Sequence, residues 1–212
     1  MIKIHPSSIS KIMSEPKDKK ETLSVGAKTY LKSIAKQLMY GFYEEIDNIK
    51  YIKKGNACEN DSIALLNTVL FKSYTKNNLR VDTEFMTGEA DIVTPDYIRD
   101  IKTAWSLATF PCIIEDAHDK DYEYQLRGYM YLYDKPRAYL DFCMVTTPEE
   151  ICKYEQAELH NVDHIDPRLR VTSVMYERDL DIEARMIEKC KAAQIYVEQI
   201  KQQILTEREI DG

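Results

Sequence analysis

Gly88-Glu89-Ala90-Asp91-Ile92-Val93-Thr94-Pro95-Asp96-Tyr97-Ile98-Arg99-Asp100-Ile101-Lys102 reads as two strands joined by a turn. Ala90 to Val93 and Tyr97 to Lys102 alternate apolar and polar residues, the period of a strand, and Thr94-Pro95-Asp96 carries turn chemistry. Asp100 and Lys102 are two apart in an extended segment, so both side chains leave the same face of the sheet. A reversal through the turn brings Asp91 beside them on the neighbouring strand. Gly88 supplies a bend or a close backbone approach just before it. Two carboxylates and an ammonium then converge. Desolvated charges need partners or a metal ion, so the plain alternative is a structural ion pair of Lys102 with Asp100 or Asp91.

Working outward, Leu79 to Phe85 alternates as well, which predicts an antiparallel meander through this region. Upstream, residues 6–14 read as a short helix capped by Ser7 or Ser8, and Glu15 to Glu21 as a polar loop. Ser24 opens an amphipathic helix with Val25, Leu31, Ile34, Ala35, Leu38 and Phe42 at helical spacing and Gly41 near its end. A second helix is expected over 53–69, with Ala57, Ile63, Ala64, Leu66 and Val69 on its packing side and Glu59 within it. Downstream, Trp105 to Glu115 is irregular and Asp119 to Tyr133 is a tyrosine-rich helix. Strands follow over Arg137 to Thr146 and Arg170 to Glu177. Leu180 to Leu205 forms a long helix with Ile187, Ala193, Ile195, Val197, Ile200 and Ile204 as its apolar positions, and Thr206 to Gly212 a frayed tail. This order predicts one α/β (α+β) domain over 1–212, a central mixed β-sheet flanked by helices.

The totals narrow the function class. With 44% hydrophobic and 31% charged residues the chain is too apolar for disorder. No apolar run approaches the ~20 residues of a membrane span, and the N-terminal residues lack a secretory signal's apolar core. Five scattered cysteines without C-x-x-C spacing fit a reducing cytoplasm better than a disulfide framework. His160 and His164 are four apart, but Pro167 and the acids between make a zinc helix a poor reading. A net charge of −7 argues against indiscriminate coating of nucleic acid, while leaving room for a local basic lining.

Chemistry gives the acid–lysine set a use. Magnesium takes oxygen ligands, commonly one or two carboxylates with water and substrate phosphate. Asp91 and Asp100, with the backbone carbonyl of Ile101, make such a half-shell. Lys102 is placed to steady charge growing on a phosphoryl oxygen. Glu59 is the leading candidate to complete the coordination; Glu84 and Glu89 are lesser ones.

The acid, then the acid-x-lysine triplet, with an upstream helical glutamate, resembles the PD-(D/E)xK nuclease superfamily with its restriction-endonuclease-like core. Gly55-Asn56-Ala57-Cys58-Glu59 looks like its Gly-x-x-x-Glu helix motif, and Gln125-Leu126-Arg127-Gly128-Tyr129 like its Gln-x-x-x-Tyr motif. With Leu23 to Tyr30 ahead of them, these resemble the phage lambda exonuclease and YqaJ-type recombinases, from about Ser7 to about Gln199. The resemblance implies a magnesium-dependent exonuclease, with manganese as a substitute and one or two ions. It would degrade one strand of linear duplex DNA from the 5′ end for phage-type recombination, in the cytoplasm of a bacterial host. It further implies a homotrimer and a single-strand annealing protein as partner. On this reading Glu59, Asp91, Asp100 and Ile101 hold metal, Lys102 activates water, and Gln125 orients substrate or the lysine. Tyr129 joins the DNA contacts. The acid of the triplet is aspartate where glutamate is more usual, one methylene shorter. The Trp-His-x-x-Arg-like approach is missing, which leaves Ser8, Lys17, Lys19 and Lys20 as candidates for the DNA end. A repair- or helicase-associated endonuclease of the superfamily and a catalytically silent DNA-binding module are the alternative readings.

Overall fold

Ser24 accepts a hydrogen bond from Ala27 N–H and Gly41 closes the same helix in the left-handed region (φ 63°), so both ends of that amphipathic segment stop where the sequence places them. The computed structural model describes residues 1–43 and 49–208; the end of the tail expected to fray, 209–212, lies outside them. In chain order the first elements are α1 (Ser10–Met13), α2 (Val25–Tyr40) and α3 (Lys50–Leu70). Four strands follow, β1 (Val81–Asp82), β2 (Thr87–Gly88), β3 (Ile92–Val93) and β4 (Ile98–Thr103). The rest are α4 (Lys120–Tyr133), β5 (Arg137–Cys143), α5 (Glu149–Cys152), α6 (Ala157–His160), β6 (Val171–Glu177) and α7 (Leu180–Thr206). None of the described helices is long and apolar enough to cross a membrane.

A four-stranded mixed sheet in the order β3-β4-β5-β6 forms the centre, with β4 and β5 parallel and the outer pairs antiparallel. Strand alternation sorts its side chains onto two faces. Ile98, Ala138, Leu140 and Val174 share a core with Leu126 and Met130 of α4, Met186 and Cys190 of α7, and Ala27 and Leu31 of α2. On the other face Cys143 and Val145 pack with Ile92 against Cys58, Ile63 and Leu66 of α3. The expected mixed sheet with helices to either side is the architecture found.

Several local expectations change. Residues 6–14 form a 3-10 turn at Pro6–Ser8 followed by α1, and the capping group is the His5 ring rather than Ser7 or Ser8. The three-strand meander reduces to the β3–β4 pair. Thr83 interrupts the Leu79–Phe85 run because its hydroxyl accepts from the N–H groups of Phe85 and Met86, closing a turn that returns the chain onto β1 as a separate two-stranded sheet. Val25 (80% exposed) and Ile195 (59% exposed) point away from their cores. The buried stripes are Ala27-Leu31-Ala35 and Met186-Cys190-Ala193-Val197.

The N-terminal residues thread through the middle of this arrangement. Ile4 N–H donates to Phe85 O and its carbonyl accepts from Thr87 N–H, so it pairs beside β2. Pro6 then wedges between Gly88 and Gly128; a Cβ on Gly88 would stand 2.7 Å from Pro6 Cδ. Gly88 is thus needed for a close approach, as its place before Asp91 suggests.

Candidate active site

The site begins at an open strand edge. Thr94 closes the hairpin by donating twice to Tyr97 O, from its N–H (2.9 Å) and its hydroxyl (2.7 Å). That turn fixes the register Ile92↔Arg99 and Val93↔Ile98. Pairing stops there, so the next edge-facing amide of β4, Ile101 N–H, has no strand carbonyl to meet. The Asp91 carboxylate takes it instead, with Oδ2 accepting at 2.6 Å. Asp91 and Asp100 are thereby brought together at the register position where the hairpin opens.

Asp100 and Lys102 leave the α4 face of the sheet as the strand period requires. Gln125, one turn into α4, bridges them: its Nε2 donates to Asp100 Oδ1 at 3.0 Å and its Oε1 accepts from Lys102 Nζ at 3.2 Å. Lys102 Nζ also lies 2.8 Å from Asp100 Oδ2 and 4.7 Å from the centre of the Tyr122 ring. Burial opposes the Lys102 charge, but Asp100, with Asp91 behind it, more than offsets this and holds the ammonium above its ordinary range. Burial, reinforced by the Asp100 charge, pushes the Asp91 carboxyl up to about 7.

Glu59 approaches from the other side of the sheet edge, on α3. Lys54 fixes that helix: it is fully buried, and its ammonium donates to Ala104 O (2.7 Å) and Trp105 O (2.9 Å), immediately past β4. Ser62 adds a hydroxyl contact to Thr103 at 2.9 Å. Glu59, Asp91, Asp100, Ile101, Lys102, Gln125 and Tyr129 all line one cavity of about 650 Å³. The Glu59 carboxylate, however, is paired with Lys76, which reaches the same cavity from the segment after α3. Among the described residues, no three acids, histidines or cysteines stand at metal-binding distance from one another.

Of the remaining candidates, Tyr129 shares the cavity lining and the others lie outside it. Ser8 ends the Pro6–Ser8 turn and does not line the cavity. Lys17, Lys19 and Lys20 are exposed on a loop whose flanking carbonyls, Ser14 O and Thr22 O, are held by Lys189 of α7, and Lys20 borders a different groove there. Glu84 and Glu89 are not in the cavity lining either. Tyr129 is buried, with its ring edge-on to His5, and burial drives its phenol well above the usual range. Lys54, Lys76 and Tyr122 are the residues that pattern reading missed. Lys54 alone left a signal, as the residue before the Gly55–Glu59 motif.

The donor set suits a hard divalent cation. Asp100 is a buried carboxylate whose Oδ2 is met by the Lys102 ammonium at 2.8 Å, and Asp91, a second carboxylate, stands beside it against its own preference for a proton. Oxygen ligands of this kind fit magnesium or manganese, cations that commonly complete their shells with water and phosphate.

No protein-family model and no curated protein matches the chain. Solved structures do. A phage-related exonuclease from Haemophilus somnus 129PT superposes with a TM-score of 0.90 at 31% identity, covering 96% of each chain. An alkaline exonuclease (LHK-Exo) from Laribacter hongkongensis matches at a TM-score of 0.72 and 14% identity, over 98% of this chain and 93% of that one. LHK-Exo in complex with dAMP gives 0.71 at the same identity. The two LHK-Exo matches show a shared fold. The first, with nearly a third of its residues in common along almost the whole of both chains, shows more: the chain belongs to the phage-exonuclease family of PD-(D/E)xK nucleases.

Proposed function

We propose that the protein is a magnesium-dependent exonuclease that degrades one strand of linear duplex DNA, 5′ to 3′, exposing single strands for phage-type recombination. The observation that carries this is the hydrogen-bonded Asp91–Asp100–Gln125–Lys102 cluster opening onto a cavity of about 650 Å³. The named activity of the 31% identical relative, and the dAMP complex of LHK-Exo, support a nucleic-acid substrate.

Asp91, Asp100, the Ile101 carbonyl and Glu59 would hold one or two magnesium ions, or manganese in their place. The cation would lower the pKa of water and offset charge on the phosphate. Lys102 would activate the attacking water, and its ammonium would steady the phosphoryl oxygen on which negative charge grows. Gln125 keeps it aimed there by accepting from Nζ while tying down Asp100. Tyr122 walls the other side of the ammonium and limits its swing. Tyr129, neutral and buried, closes the cavity floor beside the acids.

The test uses linear duplex labelled at either end, with a covalently closed circle beside it. Mononucleotides from the linear DNA, released first from the 5′ label, and an intact circle are expected. Cutting of the circle would favour an endonuclease, and binding without cleavage a silent module. Lys102→Ala is expected to keep DNA binding and lose about a hundredfold or more in cleavage rate, the scale of one lost transition-state donor. A wild-type rate in that variant removes the assignment. The family resemblance extends the proposal to a homotrimer with a single-strand annealing protein as partner; a monomer in light scattering would remove the trimer.

A further inference from the structure

Lys76 lies in the coil between α3 and β1, yet that coil is strapped on both sides of it. Asn67 brackets Tyr74, accepting from its N–H at 2.7 Å and donating to its carbonyl at 2.9 Å. One residue beyond Lys76, Asn77 N–H donates to Asp91 O at 2.7 Å and the Asn77 amide donates to Ala90 O at 2.9 Å. The backbone at Lys76 is therefore registered against the Ala90–Asp91 segment that leads into β3. Its ammonium arrives at the cavity by construction, where it pairs with Glu59.

The two lysines of the cavity are held differently. Lys102 is fixed by Asp100, Gln125 and the Tyr122 ring, and its side chain is 23% exposed. Lys76 has Glu59 as its hydrogen-bond partner, and its side chain is 40% exposed at the cavity edge. On the proposed reading a cation held beside Asp91 and Asp100 would draw in the Glu59 oxygens and repel any ammonium on them. Lys76 is the one that can leave, because a lysine head group on its four-carbon stem reorients freely and is strongly hydrated. The cavity mouth gives it somewhere to go, since a DNA strand whose phosphate lies over the acids places further phosphates along that edge.

We infer that Lys76 is an exchangeable counter-ion: it neutralises Glu59 while the site lacks metal, yields Glu59 to the divalent cation, and then pairs with a backbone phosphate of the bound DNA. This rests on the nuclease reading and adds a positioning residue to it. Loading metal and gripping DNA become one exchange of partners, in which the residue displaced by the first ligand holds the second.

The experiment titrates manganese into the full chain, without DNA, for the wild type, Lys76→Gln and Asp91→Asn. Duplex binding is then measured in calcium over a range of salt. Removing the competing ammonium is expected to tighten manganese binding by about three- to fivefold, the scale of an exposed ion pair. Duplex affinity is expected to fall, and the slope of log K against log salt to become shallower by about one, the signature of a single lost phosphate contact. Manganese affinity in Lys76→Gln no tighter than in the wild type would overturn the inference, as would a duplex affinity and salt slope unchanged by the substitution. A wild type that binds no manganese, or an Asp91→Asn variant that binds it equally well, would instead sink the nuclease reading itself.

Discussion

Asp91 is the residue on which the site's electrostatics turn. In the unfolded chain its carboxyl releases its proton near 3.8, and in the folded protein only near 7, because it is buried next to Asp100. Between those values the folded state holds a proton that the unfolded chain has lost, so stability falls as pH rises through the window. The cost is absent below pH 4 and complete above pH 7. Asp91→Asn keeps an oxygen to accept from Ile101 N–H and removes the ionisation. Without divalent metal the variant is expected to be more stable than the wild type by about 1–3 kcal/mol at pH 8, with the two converging near pH 4. Denaturant unfolding in a chelator at both pH values checks this, and a gap independent of pH would assign it to something other than the carboxylate pair. Asp91, Asp100 and Lys102 are legible in the sequence because a two-residue strand period and a Pro-containing turn fix which side chains meet. Lys76 is not, since coil has no period and its position depends on hydrogen bonds that Asn67 makes to Tyr74 and that Asn77 makes across to Ala90 and Asp91. Lys54 is hidden for another reason: a lysine among polar neighbours reads as solvated, and only the carbonyls of Ala104 and Trp105, just past β4, explain its burial.

At the scale of elements, the site depends on how α3 is fastened to the end of β4. Lys54 supplies the fastening through the two carbonyls that follow β4, Ala104 O and Trp105 O. Lys54→Met matches the stem in length but leaves Ala104 O and Trp105 O without that donor. A loss of about 2–4 kcal/mol is expected, as for buried acceptors stripped of a charged partner. Burial lowers the Lys54 pKa from 10.5 to about 8, so between those values the unfolded chain binds the proton that the folded chain has released. Wild-type stability therefore gains as pH rises from 8 towards 10.5, and the difference from Lys54→Met widens over that range. Unfolding midpoints of the two proteins at pH 7.5 and pH 10 measure both effects; equal stability at both would mean that the carbonyls find other donors. Helices were the legible elements here. Ser24, Gly41 and Asp119 end them by side-chain and backbone chemistry that is local in sequence. The short strands were not, because Thr83 and the Ile4 bridge redirect β1 and β2 through contacts between distant residues. Exposed Ile195 shows the same limit: a long helix carries more apolar residues than one stripe holds, and the neighbours decide which stripe is buried.

For the whole molecule, the net charge of −7 sets the terms on which the proposed DNA substrate would be met. A phosphate backbone approaching the cavity faces Asp91, Asp100 and Glu59 against Lys102 and Lys76, and both ammoniums are already engaged with carboxylates. Long-range repulsion by the acidic surface adds to this over roughly 8–10 Å at physiological salt. On the proposed reading a divalent cation would reverse the local balance: it would neutralise the acids that repel the strand and, through the exchange at Glu59, free one ammonium to grip it. Affinity for duplex ends is therefore expected to be conditional on the cation. In a chelator at 0.1 M salt, binding should be weaker by about tenfold or more than in calcium, on the scale of losing one or two phosphate contacts and their counterion release. The calcium-bound state should then show the steeper dependence on added salt. Fluorescence anisotropy with a short labelled duplex, titrated with protein in each condition, separates the cases. Equal affinity with and without the cation would place the DNA-gripping surface away from the acid cluster, and would require a basic face other than the cavity to carry the substrate.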